Sequence, residues 1–345
     1  MQSNTYSHGG DILGFAKMRN INPSDVIDLS SNINFIKPNI SLDYTTLDIS
    51  SYPNYDEIYS IIAKHFGLQT SELELFNGGS SAIFELFRTL RTHIQDCTIY
   101  SPAYLEYKKA SHVFGYKLHL INRFNDIFKP IPQNSLVIFV NPSTPDGKYY
   151  GYDKKILKKL FKIWQKANAT VLIDESFLEF VPNHTSAINF LKDYEKLYIL
   201  KSMTKFHSSA GIRVGCLVST MKNISKIQAT QPAWKLSQFD ISYLKYALDD
   251  KKFTKKSIKE NIKNRKYLIK ILEQSKYIKK VYKSDANFAL VKLNNISTVE
   301  FQDIVSPYNI MVRDCTNFDF LDNRFVRIAV KEKSKLKMLK KAVCE

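Results

Sequence analysis

Short apolar runs that stop abruptly at polar residues constrain this chain more than any other feature. Leu136–Val140, the run TVLID ending at Asp174, and Leu197–Leu200 each hold four or five residues, the length of a buried strand. Between the first two lies Asp153–Ala167, where Ile156, Leu157, Leu160, Phe161 and Trp164 recur at helical spacing and the lysines face outward. A further run, Cys97–Tyr100, reads as a strand, and Asp56–Phe66 reads as a helix with Ile58, Ile61, Ile62 and Phe66 on its apolar side. Strand, loop, helix and strand in alternation predict an α/β fold with a mostly parallel sheet. Open sheets of that kind bind ligands at the carboxyl ends of their strands. The polar residues that terminate these runs are therefore the candidate site.

The richest terminus follows Leu197–Leu200, which delivers Ser202, Thr204 and Lys205, with Arg213 eight positions later. Two hydroxyls, an amine and a guanidinium suit a phosphate beside a carbonyl, because the fork and hydroxyls take the phosphate while the amine bonds the carbonyl carbon. Pyridoxal phosphate (PLP) carries both groups; a surface loop after a core strand is the alternative. Asp174 would bury a carboxylate at the sheet's edge, which costs several kcal/mol unless a cation answers it. A protonated pyridine nitrogen is one such cation, and a helix cap or a lysine pair are others. In ELFNGGSSAIFELFRTLR, Gly79 and Ser80 precede a helix with Ile83, Phe84, Phe87 and Leu90 on one face, so their N–H groups form either an anion site or a simple cap. Tyr104 stands just past a strand end, where an aromatic covers a planar ring or fills core. The loop NPSTPDG, Asn141–Gly147, is shaped by two prolines and a glycine. HGGD, opening with His8, and DLSSNINF, holding Asn32, are weak signals alone.

The length of 345 residues admits one large and one smaller domain. After about residue 245 the pattern changes to a basic helix within Lys251–Lys283, with Ile258, Ile262, Leu268, Ile269 and Leu272 inward. Strands near Ile278–Tyr282 and Phe288–Leu293, a helix near Val299–Val305, and strands at Ile310–Arg313 and Phe325–Val330 follow. We expect residues 41–244 to form the large domain, and residues 1–40 with 245–345 a smaller α+β domain.

The formal charge of +17 suits anionic partners. Much of it lies in the basic helix, where lysines read as a solvated face, and no nucleic-acid-binding motif accompanies them. No apolar run spans a bilayer, and MQSNTYSHGGD lacks the regions of a signal peptide, so the expectation is a cytoplasmic protein. Cys97, Cys216, Cys315 and Cys344 are scattered, with no CxxC pair and no histidine clustering at metal spacing, and no metal is expected.

Together HGGD, DLSSNIN, DESFLEFVP, QPAW at Gln231–Trp234 and MVRDC at Met311–Cys315 resemble PLP enzymes of the aspartate-aminotransferase fold. Within it the chain looks most like the threonine-phosphate decarboxylase and histidinol-phosphate aminotransferase branch. The resemblance implies that Lys205 bonds the cofactor aldehyde, Asp174 pairs with the pyridine nitrogen and Tyr104 stacks on the ring. It implies that Gly79, Ser80, Ser202, Thr204 and Arg213 hold the phosphate, and that Tyr52 reaches the site of a neighbouring subunit, hence a homodimer. On the substrate side it offers His8, Asn32, Arg313 and Arg327. Two departures stand out. Thr144 occupies the place of an asparagine that bonds the ring hydroxyl, and Phe177 replaces a tyrosine frequent in aminotransferases, which favours decarboxylation. The implied activity is decarboxylation of phosphoserine or phosphothreonine; transamination of a histidinol-phosphate type of substrate is the alternative, and a basic nucleic-acid-binding protein that kept only the fold is the second.

Overall fold

The computed structural model describes residues 8–152 and 155–345. In chain order its strands are β1 (Ile27–Asp28), β2 (Leu73–Asn77), β3 (Asp96–Ser101), β4 (Lys117–Asn122), β5 (Leu136–Val140), β6 (Thr170–Asp174), β7 (Leu197–Ser202) and β8 (Val214–Val218). They are followed by β9 (Ile278–Val281), β10 (Phe288–Leu293), β11 (Ile310–Met311), β12 (Arg313–Asp314) and β13 (Phe325–Ala329).

Seven strands form one sheet in the order β2-β8-β7-β6-β5-β3-β4. All run parallel except β8, which is antiparallel to both β2 and β7. Strands β5 and β6 are buried at every position, as expected of a sheet covered on both faces. One face packs on Trp164, Leu160 and Leu157 of the helix Lys155–Lys166, and the other on Ile83, Leu86 and Phe87 of the helix Gly78–Leu90. The helix expected from Asp153 is thus observed from Lys155, and Asp153 itself lies outside the described residues.

A second sheet, antiparallel in the order β12-β13-β10-β9, packs against the long helix Lys251–Gln274 and the helix Lys333–Cys344. The N-terminal β1 pairs in parallel with β11. Three sequence readings need correction here. The expected strand Ile310–Arg313 breaks at Val312, and its halves join different sheets. The long helix Lys251–Gln274 buries Leu268 and Leu272 as expected, but the rest of its inner edge is Phe253, Ser257, Asn261, Asn264 and Ile271, with Ile258, Ile262 and Ile269 only partly buried. The polar members are kept inside partly by hydrogen bonds: Asn264 Nδ2 donates to the Lys331 carbonyl at 3.0 Å, and Ser257 Oγ accepts from Asn34 Nδ2 at 2.9 Å. The glycines of NGGSS do not precede their helix but form its first turn.

Because β8 runs against its neighbours, its first residues lie at the same edge as the carboxyl ends of β2 and β7. Gly215 makes that approach possible, since a Cβ there would lie 2.7 Å from the Gly79 backbone nitrogen. Gly215→Ala should therefore push the start of the helix Gly78–Leu90 off the sheet at a cost of about 1–3 kcal/mol. A lowered midpoint in a thermal melt is the expected reading.

Candidate active site

The carboxyl edge of the large sheet opens into a cavity lined by His8, Asn32, Gly79, Ser80, Tyr104, Thr144, Asp174, Ser202, Thr204, Lys205, Arg213, Arg313 and Arg327. Every residue singled out from the sequence is there except Tyr52. That side chain is 72% exposed and stacks on Trp234 with ring centroids 3.9 Å apart, away from this cavity.

Asp174 ends β6 in the middle of the sheet. Its Oδ1 accepts from the Ser176 N–H at 2.8 Å and the Ser176 hydroxyl at 2.5 Å, and its Oδ2 accepts from the Tyr107 hydroxyl at 2.7 Å. All three donors are neutral, and burial pushes the carboxyl above its usual range in spite of them. Burial and the facing carboxylate hold the Tyr107 phenol protonated far into the alkaline range. Tyr107 and Ser176 escaped the sequence reading. The signal for Tyr107 is its place three residues beyond Tyr104, on the helix Leu105–Val113 that starts at the site.

Lys205 follows β7 in the short helix Met203–Phe206. Burial, then the positive charges of Arg327 and Arg213, bring its amine down to about 8, with Asp174 opposing the fall. The neighbouring hydroxyls of Ser202 and Thr204 are 2.9 Å apart. Across from them the helix Gly78–Leu90 presents the first-turn N–H groups of Gly79 and Ser80, which have no carbonyl of their own helix to bond. Arg213 lies over that terminus. Gly78, at φ +81°, leaves the space for it: a Cβ there would sit 2.5 Å from Arg213 Nη2. Hydroxyls, free N–H groups and a guanidinium thus converge as an anion cradle. Tyr104 borders it, its hydroxyl 3.2 Å from Ser80 Oγ and its ring 5.5 Å from that of His8. His8 is held by Glu106, Nε2 to Oε1 at 3.0 Å.

The opposite wall comes from the second sheet and the N-terminal segment. Arg327 on β13 donates to the Thr144 hydroxyl and to the Ser30 carbonyl, each at 3.1 Å, while its Nε has no partner. Burial brings it down to about 10, still a cation at neutral pH. Arg313 on β12 donates to Asn317 Oδ1 at 2.9 Å. Asn32 is buried with its Oδ1 unpartnered, and Asp28 shapes the turn beneath it by accepting from the N–H and hydroxyl groups of Ser30 and Ser31. Phe177 packs edge-on against Phe288, centroids 5.0 Å apart. Among the described residues of the wall, Asp174 is the one carboxylate, against four cationic side chains, Lys205, Arg213, Arg313 and Arg327.

Outside the cavity the structure brings His65, Glu179 and His207 together from three distant segments, a grouping that spacing along the chain does not display.

The family described as aminotransferase class I and II matches residues 25–343, and the chain belongs to it. It is a PLP-dependent enzyme of the aspartate-aminotransferase fold. Among named relatives, the adenosylcobalamin biosynthesis bifunctional protein CobDQ of Leptospira interrogans is 30% identical over 95% of this chain, which spans only 39% of that protein. The threonine-phosphate decarboxylase of Salmonella typhimurium is 24% identical over 94% of the chain and 92% of its own length. Among solved structures, a histidinol-phosphate aminotransferase from Clostridium acetobutylicum aligns with a TM-score of 0.78 at 27% identity, covering 91% of this chain and 97% of that one. Another from Sinorhizobium meliloti, in complex with PLP, aligns with a TM-score of 0.81 at 16% identity over 100% and 96%.

An amine attacks an aldehyde only when neutral, so with Lys205 as the amine expected to bond PLP, its depressed value predicts a pH dependence. The rate at which cofactor-free protein captures PLP should rise with pH and level off near pH 8, instead of climbing on toward 10.5. Arg327→Met removes the larger of the two charge repulsions and should move that midpoint upward, as read by stopped-flow absorbance of the lysine-bound cofactor.

Proposed function

We propose that the protein is a PLP-dependent decarboxylase of an O-phosphorylated hydroxy amino acid, phosphoserine or phosphothreonine. One observation carries the reading: a cavity wall of four cations against one carboxylate, more positive charge than the cofactor phosphate alone requires. A substrate bearing both a carboxylate and a phosphate would answer the excess. The named decarboxylase relative and the phenylalanine at position 177 support the same reading.

The chemistry of the wall fits the cofactor. A buried carboxylate with neutral donors only, Asp174, calls for a cationic ring nitrogen, and the cradle of Gly79, Ser80, Ser202, Thr204 and Arg213 calls for a phosphate. In this reading Lys205 holds the aldehyde, Tyr104 covers the ring, and Thr144 borders it with a hydroxyl already engaged by Arg327. PLP, when bound, supplies an electron sink for the bond broken at the substrate's α-carbon.

This chain's residues would choose which bond that is. Arg327 and Arg313 bind the substrate anions by charge-assisted hydrogen bonds, and Asn32 and His8 complete the pocket. Fixing the carboxylate orients its bond to the α-carbon for cleavage, and carbon dioxide leaves without the electron pair. Lys205 Nζ, or a water it positions, then delivers a proton to the α-carbon. A phosphorylated amino alcohol is the second product. Tyr52, exposed and paired with the equally open Trp234, would complete the site of a second copy of the chain, which makes the working unit a homodimer.

PLP-loaded protein given phosphothreonine or phosphoserine, with no 2-oxo acid present, should release carbon dioxide stoichiometrically with the amino alcohol phosphate. Turnover that occurs only with 2-oxoglutarate would establish transamination instead. One methyl separates the two substrates, worth about 1–3 kcal/mol in a pocket, so their relative kcat/KM names the physiological one. Asp174→Asn should retain PLP on Lys205 yet lose about 100-fold or more in kcat, the scale of removing one preorganised charge from a reacting centre. Steady-state kinetics alongside the cofactor absorbance separates the two effects.

A further inference from the structure

Behind the turn that carries Lys205, three side chains converge at a point outside the cavity. His65 lies in the last turn of the helix Asp56–Phe66, Glu179 in the single turn Leu178–Phe180, and His207 closes the helix Met203–Phe206. His65 Nε2 is 3.0 Å from Glu179 Oε1, and His207 Nδ1 is 3.7 Å from Glu179 Oε2. One donor atom from each side chain lies within 4.8 Å of the other two.

The first contact is an ordinary hydrogen bond, but the second is not. His207 is 1% exposed and its Nδ1 has no partner at hydrogen-bond geometry; the Met203 backbone acts on the ring and favours its protonated form, but the ion pair still leaves this buried nitrogen without a bond. At 3.7 Å a proton does not bridge nitrogen and oxygen, and a lone pair facing a carboxylate oxygen repels it. Two ligands of one tetrahedral ion, each bonded at roughly 2.0–2.2 Å, stand about 3.4 Å apart. The two nitrogen-to-oxygen separations, each to a different oxygen of Glu179, straddle that value, and the three donor atoms as a set lie within 4.8 Å of one another.

We propose that His65, Glu179 and His207 bind a divalent transition-metal ion of the zinc class. Two imidazoles and a carboxylate select zinc, cobalt or nickel over magnesium and calcium. The His65 side chain, 26% exposed, leaves a route for the ion and an open side for a water as fourth ligand. The ion ties the end of one helix to the turns that follow β6 and β7, and so braces the Lys205 turn from behind. It takes no part in the reaction.

The test uses PLP-loaded protein stripped with a chelator and dialysed. Titration with zinc chloride by calorimetry should show one site per chain, magnesium chloride should give no heat, and cobalt chloride should develop the visible bands of a tetrahedral nitrogen-and-oxygen site. His65→Ala, at a partly exposed position, and Glu179→Gln should each weaken zinc binding by at least ~10-fold and abolish the cobalt bands. The absorbance of lysine-bound PLP should be unchanged in His65→Ala, which shows that the fold persists. Zinc affinity equal in wild type and His65→Ala, cobalt bands indifferent to both substitutions, or no zinc binding at millimolar concentration would each overturn the assignment.

Discussion

A carboxylate buried in the middle of a parallel sheet is the constraint around which this structure is arranged. Asp174 sits where water is excluded, and the protein meets it with two hydroxyls and one N–H rather than with a cation. Such donors offset part of the desolvation cost but leave the negative charge unbalanced. Strand order then decides what surrounds it. Because β5 and β7 flank β6, the loop holding Thr144 and the turn holding Lys205 stand on either side of the acid. The antiparallel β8 brings Arg213 to the same edge, over the terminus of the helix that follows β2. In the proposed reading this acid answers one end of the family's cofactor and the anion cradle answers its phosphate.

The cavity's remaining charge comes from the second sheet, and Arg327 is the hinge of that contribution. Its bonds to the Thr144 hydroxyl and the Ser30 carbonyl join the four-stranded sheet, the loop after β5 and the N-terminal segment in one place. This gives the departure at position 144 a physical sense, since the threonine hydroxyl accepts from the guanidinium. The loop that carries it is fixed from below by the buried pair Arg123 and Asp146, 2.6 Å apart, with Arg123 also donating to the Thr144 carbonyl at 2.8 Å. A small side chain on a rigid loop thus holds one nitrogen of the guanidinium, while its Nε has no partner.

What could be read from the sequence followed from periodicity and from chemistry at strand ends. LVIFV and TVLID are apolar throughout, which only a strand buried on both faces tolerates, and both appear at or within a residue of the expected bounds. VGCLV at β8 and KLHLIN at β4 escaped notice because a glycine, a cysteine, a lysine and a histidine dilute the same pattern. The face of the long basic helix was misjudged for a related reason: Asn264 and Ser257 are inside because specific hydrogen bonds satisfy them, and periodicity counts only apolar atoms. Thirteen of the fourteen candidate site residues line one cavity, since strand-end chemistry is local in sequence. Tyr107 supports Asp174 from a neighbouring element and is marked in the sequence only by its spacing from Tyr104, while His65, Glu179 and His207 meet only in three dimensions and leave no linear trace.

The position of Lys205 finally depends on a segment far from it in sequence. The Asn34 N–H donates to the Lys205 carbonyl at 3.0 Å, Asn34 Nδ2 donates to the Phe206 carbonyl at 2.8 Å, and the Ser208 hydroxyl donates to the Asn34 carbonyl at 3.0 Å. Three bonds therefore lock the lysine's turn to the irregular segment that follows β1, two residues beyond Asn32. The residues proposed to grip substrate and the amine proposed to act on it share one short piece of backbone anchored by these bonds, and the ion proposed at His65, Glu179 and His207 would hold the far side of the same turn. An amine held from both sides loses little freedom when it meets a reactant, which is how a fixed scaffold turns binding into orientation.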